Sequence, residues 1–227
     1  MRTVTIVSLS LLLLAYSAKA QTKTYDTLPN LPEHYRERVA KFDKEPVVTG
    51  KVIMAGNSIT EGGNWKKLLN DTTVINRGIG GDVTFGLLAR LNDIIKRKPS
   101  KLFLLIGVND LSRNTPDEVI LDNIYNLVHI VHKSNPGTQI YVQSILPLNE
   151  TFKNFPEKYR GKLEHITTIN NNLRKYGEKL HYTFVDINKE FADKESKMEA
   201  RYSTDGLHLN ASGYDHWVEI LKRLKYL

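Results

Sequence analysis

Apolar positions follow two rhythms along the chain. Five short segments, residues 51–55, 73–76, 102–106, 138–146 and 182–187, have apolar cores with little alternation. Between them, apolar residues return every three or four positions. Leu87, Leu88, Leu91, Ile94 and Ile95 do so within 83–98, and Ile120, Ile124, Leu127 and Val131 within 116–133. The same helical rhythm marks 159–180 and 212–227, and a shorter helix is predicted over 33–42. Continuous apolar strands separated by amphipathic helices predict a parallel sheet covered on both faces. Right-handed crossovers then give an α/β fold, a three-layer αβα sandwich around a five-stranded parallel sheet. Ligands of such sheets bind beyond the carboxyl ends of the strands.

The start of the chain follows a different pattern. Arg2 precedes a mostly apolar run, Val4 to Ala15, and Ala18-Lys19-Ala20 has the small-x-small form of a cleavage site. Residues 1–20 therefore read as a signal peptide cleaved after Ala20, with a secreted or periplasmic product. The run is about 12 residues, short of the roughly 20 that span a bilayer, so no membrane span is expected. Residues 21–46, with Pro29, Pro32 and Pro46, read as a lead-in carrying the short helix, and 47–227 as one domain.

Composition narrows the functional classes. The 227 residues are 41% hydrophobic and 25% charged, as in a globular protein with a full core. Losing Arg2 and Lys19 with the leader lowers the formal charge from +7 to +5. The remaining basic residues are scattered, with no zinc-finger spacing and no basic arm, so nucleic-acid binding is not expected. The chain has no cysteine, which excludes thiol catalysis and cysteine metal sites. His129 and His132 are three apart on a predicted helix without an evident third ligand, so no metal and no cofactor is expected. The pattern specifies no oligomeric state.

Four segments carry candidate chemistry. "GNSITEGG" places Ser58 where the first strand gives way to a loop and helix, as a helix cap or a nucleophile. "NRGIGGDVT", 76–84, follows the second strand; its glycines can turn N–H groups toward an anion or serve as a plain turn. It fits neither the Walker nor the dinucleotide pattern. "IGVND" places Asn109 after the third strand, as an amide donor or an Asx cap. "STDGLHLNASG" places Asp205 three residues before His208, a spacing at which a carboxylate can fix the imidazole tautomer. Jointly the four supply a hydroxyl, a base, a carboxylate to orient it and several N–H donors, which is the inventory for acyl transfer.

In this order the four segments resemble the blocks of the SGNH/GDSL hydrolase family, over residues 50–227, and "NRGIGGDVT" is similar to members related to platelet-activating-factor acetylhydrolase subunits. The resemblance implies a flavodoxin-like fold and a carboxylic ester hydrolase without cofactor. It makes Ser58 the nucleophile, His208 the base and Asp205 its partner. It also implies an oxyanion hole from the Ser58 N–H, the Gly81 N–H and the Asn109 side chain. One departure stands out: Asn57 replaces the aspartate that usually precedes the serine.

Connections are short and no long apolar lid is evident, so an open site for a small acyl group is expected. The partner would be a small-molecule or polysaccharide ester, first an acetyl ester on carbohydrate. The alternatives are a lysophospholipid, a thioester or a platelet-activating-factor-like lipid. Trp65 and Tyr214 are candidate residues of the site mouth, with core packing an equal reading for Trp65. A non-catalytic carbohydrate-binding protein is the reading from another class.

Overall fold

The computed structural model describes residues 31–227; the leader expectation for 1–20 lies outside the described residues. Five strands, β1 (Val52–Gly56), β2 (Ile75–Gly78), β3 (Lys101–Leu105), β4 (Gln139–Gln143) and β5 (Thr183–Val185), form one sheet in the order β2-β1-β3-β4-β5. Every neighbouring pair is parallel. The chain therefore leaves β1 in one direction to β2 and then returns to the other side for β3. That reversal opens a crevice beyond the carboxyl ends of β1 and β3.

Successive residues along each strand serve opposite faces. Ile53, Ala55, Leu102, Leu104, Ile140 and Val142 face a core shared with α4 (Thr84–Ala89), α5 (Leu91–Ile95), α7 (Asp117–Ser134) and α8 (Leu163–Tyr176). Met54, Phe103, Leu105, Tyr141 and Val185 face a second core with α3 (Trp65–Leu68), α9 (Asn188–Phe191) and α10 (Ala211–Arg223). Both faces are buried, which is why the strands read as apolar runs rather than as alternation. No helix among the described residues is long and apolar enough to cross a membrane.

Helix α1 (Glu33–Lys44) lies over the β2 side of the molecule. Tyr35 and Phe42 bury against Ile79 and Val83. The Arg77 guanidinium is buried under the Phe42 ring, 4.3 Å from its centroid, and pairs with Asp93 at 2.6 Å and Glu45 at 2.7 Å. Arg97 donates to the carbonyls of Pro46 and Phe42. These buried charges are paired and hydrogen-bonded, as burial demands.

Three helices differ from the periodic reading. The segment expected to be helical over 83–98 breaks at Arg90, whose buried side chain reaches Asp82 Oδ2 and the Gly56 carbonyl. The helix expected from residue 159 begins at Leu163: Glu157–Tyr159 form a 3-10 turn, Arg160 is extended, and Gly161 takes a left-handed φ of +73° before the helix starts. The third is a single-turn helix, α2 (Ser58–Glu61), that starts directly at the serine rather than after a loop.

Candidate active site

The first question is what Ser58 does at the strand-to-helix joint. It is not the cap. Asn57 caps α2, its Oδ1 accepting the Ile59 N–H at 3.0 Å, so Ser58 becomes the first helical residue with its hydroxyl uncommitted to the backbone. Ser58 Oγ lies 3.0 Å from His208 Nε2, 150 positions along the chain. His208 Nδ1 lies 2.7 Å from Asp205 Oδ2. The other oxygen, Asp205 Oδ1, accepts the N–H groups of Leu207 and His208 at 2.9 and 2.7 Å.

This arrangement fixes the proton positions. Burial raises the Asp205 pKa, but the hydrogen bonds from the His208 ring and from the two backbone N–H groups outweigh it and hold the carboxyl below its ordinary value. An ionised carboxylate only accepts, so Nδ1 must carry the proton. Nε2 is then the lone-pair acceptor for the Ser58 hydroxyl. The loop holding Asp205 and His208 is braced: Ser203 Oγ donates to the His208 carbonyl at 2.7 Å and accepts the Gly206 N–H at 2.8 Å. Gly206 has φ +83°, and a Cβ there would stand 2.1 Å from the Asn149 carbonyl oxygen, so only glycine fits.

The remaining candidates follow β2 and β3. Gly81 has φ +75°, and neither its N–H nor that of Ser58 has an acceptor among the described residues. Asn109, expected as a donor or an Asx cap, caps nothing. Its Nδ2 donates to the Asp82 carbonyl at 2.9 Å and its Oδ1 accepts the Tyr159 hydroxyl at 2.5 Å. The next residue, Asp110, is fully buried and accepts the N–H and hydroxyl of Thr84, tying the asparagine segment to the start of α4. Serine at the start of α2, asparagine in α6 (Val108–Ser112), and imidazole, carboxylate and glycine in loops thus all lie at the carboxyl edge of the sheet.

Two residues at this edge escape sequence reasoning. Glu61, one turn after Ser58, accepts the Gly80 N–H at 2.5 Å and pairs with His34 and Arg38 of α1, each at 2.9 Å. Tyr159, expected only as the first residue of a helix, closes the 3-10 turn Glu157–Tyr159 instead. Two other expectations change. Trp65 is only 2% exposed, packs edge-on against Trp217 and donates to the Thr60 carbonyl; the Tyr214 hydroxyl donates to the Ile59 carbonyl. Trp65 thus braces α2 from inside the core and lines no mouth, while Tyr214, half-buried, braces the same helix through its hydroxyl. His132 lies against the His181 carbonyl, and among the described residues no group of three or more His, Cys, Asp or Glu is placed to hold a metal.

Beside the serine, Asn57, Ile59, Ile106, Val108, Ile145 and Leu207 are among the residues lining a partly open, mainly apolar cavity of about 10 Å³, close to the least space that holds one water. The large apolar side chains that are exposed among the described residues, Val47, Val48, Leu224 and Leu227, lie before β1 and after α10, at the opposite end of the sheet.

Comparison with known proteins bears on the family and the fold. The GDSL-like Lipase/Acylhydrolase family profile matches residues 54–216, which contain all five residues just described. The chain is 28% identical over 191 residues to platelet-activating factor acetylhydrolase IB subunit alpha2 of Rattus norvegicus, covering 81% of this chain and 78% of that protein. A Streptococcus pneumonia structure described as a platelet activating factor superposes with a TM-score of 0.75 at 27% identity, over 84% of this chain and 92% of that one. A GDSL-like lipase from Bacteroides thetaiotaomicron shares the fold, with a TM-score of 0.72 at 23% identity over 85% and 98% of the two chains. A profile match over most of the sequence, on the same doubly covered parallel sheet, places this chain in the GDSL-like lipase/acylhydrolase family, as a carboxylic ester hydrolase.

Proposed function

We propose that the protein is an exported serine esterase that removes small acyl groups, first of all acetyl, from carbohydrate esters. The observation that carries the catalytic part is the continuous hydrogen-bonded chain from Ser58 Oγ through His208 to Asp205. Ser58 Oγ attacks the ester carbonyl while His208 Nε2 takes its proton. The tetrahedral intermediate collapses, His208 returns that proton to the leaving alcohol, and the acyl group stays on Ser58. Water then attacks the acyl-enzyme, giving its proton to Nε2, and Ser58 leaves with that proton restored. Asp205 keeps Nδ1 protonated and stabilises the imidazolium formed at each step.

Negative charge develops on the carbonyl oxygen in both halves. The Ser58 N–H, the Gly81 N–H and the second Asn109 Nδ2 proton are the donors assigned to it; one such donor is worth on the order of 10²- to 10³-fold in rate. No step requires a metal, because the triad generates its own nucleophile.

The substrate part rests on what surrounds Ser58. Its neighbours Asn57 and Ile59 line a small, mainly apolar cavity, and the exposed large apolar side chains among the described residues lie at the far end of the sheet. That suits a short acyl group and a polar alcohol better than a long alkyl chain. The second reading, a platelet-activating-factor-like acetylhydrolase, draws on the names of the relatives at 28% identity and also removes acetyl. Residues 1–20 support export. Screening acetylated sugars and oligosaccharides against acetyl- and lyso-phospholipids tests the assignment. A kcat/KM at least about tenfold higher on the sugar esters is expected; the reverse order would move the protein to the lipid reading.

A further inference from the structure

We infer that Tyr159 is a positioning residue for the reaction, aligning the Asn109 amide so that one Nδ2 proton faces the developing oxyanion; this rests on the oxyanion role given to Asn109 above. The Asp82 carbonyl can only accept, so the group of Asn109 facing it at 2.9 Å must be Nδ2. Asn109 Oδ1 is then the atom at 2.5 Å from the Tyr159 oxygen, and the phenol must donate to it. The two contacts hold the planar amide at both ends. One Nδ2 proton is consumed by Asp82, and the second is left for a ligand.

The arrangement is almost wholly buried. Asn109 is 4% exposed, as is Tyr159. A rotated amide would put Oδ1 against the Asp82 carbonyl, two acceptors facing each other in a buried place, and would leave Nδ2 at the phenol. Donation into Oδ1 also draws electron density from the amide nitrogen and strengthens the remaining N–H as a donor. Tyr159 reaches Asn109 from the 3-10 turn Glu157–Tyr159, in which the Tyr159 N–H donates to the Pro156 carbonyl at 3.1 Å. Ser112 Oγ donates to the Asn109 carbonyl at 2.8 Å, so the backbone of Asn109 is held independently of its side chain. Removing the phenol hydroxyl therefore frees the amide without freeing the loop.

Tyr159→Phe keeps the ring and removes the donor. In the full chain, with p-nitrophenyl acetate as substrate, kcat is expected to fall about tenfold while KM stays within about twofold, since the donor acts on the transition state. Asn109→Ala is expected to lose on the order of 10²-fold in kcat, and Tyr159→Phe added to it should change kcat by less than about twofold. That non-additivity marks action through Asn109, which a purely structural tyrosine would not show. Thermal melting of each variant identifies any loss of fold, and Tyr159→Leu, which fills part of the space without a hydroxyl, should match Phe in kcat per folded molecule. Wild-type kcat in Tyr159→Phe beside a crippled Asn109→Ala would overturn the proposal alone. Wild-type kcat in Asn109→Ala would overturn the oxyanion role of Asn109 and the proposal with it.

Discussion

Glu61 Oε2 accepts the backbone N–H of Gly80 at 2.5 Å. One carboxylate thereby links the helix that begins at Ser58 to the peptide preceding Gly81, and through His34 and Arg38 it links both to α1. β2 comes close enough to α2 for this only because Gly78 has no side chain: a Cβ there would stand 2.1 Å from the Glu61 nitrogen. Glu61→Ala leaves the Gly80 N–H unpaired and the Gly81 N–H less well aimed. Steady-state kinetics should show kcat about tenfold lower. Glu61→Gln retains an acceptor for Gly80 and should recover most of that loss. Equal activity in wild type and Glu61→Ala would show that the link does not bear on the reaction.

Acid should switch the enzyme off through a single proton. The Asp205 pKa is held below the ordinary carboxylate value, so its contribution to stability is present above that value and disappears only as pH falls through the depressed folded-state pKa. Between pH 5 and 8 the carboxylate therefore stays ionised, and the mechanism asks of the imidazole only that its Nε2 lone pair be free. A plot of log kcat/KM against pH should descend on its acid side with a slope of one; a slope of two would reveal a second essential base. Asp205→Asn cannot hold the same tautomer and should lose on the order of 10³- to 10⁴-fold in kcat.

Stability should respond to pH in the opposite sense at Asp110. Burial pushes its pKa up to about 7 from 3.8, against the Thr84 hydrogen bonds that lower it, with the nearby Asp82 charge adding to the rise. Between those values the folded protein holds a proton that the unfolded chain has released. This contribution to stability is complete below pH 3.8 and is lost as pH rises through 7. Melting temperatures measured from pH 5 to 8 should therefore decline more steeply in wild type than in Asp110→Asn, which keeps the shape and cannot titrate. Parallel curves would contradict the assignment.

The sheet was legible because both of its faces are buried. Ile53 and Met54 point to opposite cores, so β1 reads as an uninterrupted apolar run, and the same holds for Leu102 and Phe103 in β3. The candidate site was legible because Ser58, Gly81, Asn109, Asp205 and His208 each sit in a short segment of unusual composition outside the strands and the long helices. What escaped lies where tertiary contact, not local pattern, decides. Arg90 breaks an amphipathic rhythm to reach Asp82, and nothing in residues 83–98 announces that partner. Trp65 has the composition of a mouth residue, but its indole N–H is used on the Thr60 carbonyl inside the fold. Tyr159 and Glu61 act across 50 and 19 positions, through single hydrogen bonds that leave no periodic trace.

The account stands on Ser58 being the atom that becomes acylated. Treating the full chain with a fluorophosphonate and mapping the adduct by peptide mass spectrometry reads this directly. Labelling is expected on the peptide containing Ser58, with complete loss of p-nitrophenyl acetate hydrolysis, and Ser58→Ala should take up no label, retain the wild-type melting temperature and fall at least about 10³-fold in kcat. An active preparation that labels at another residue, or a Ser58→Ala protein that keeps most of its activity, would contradict it.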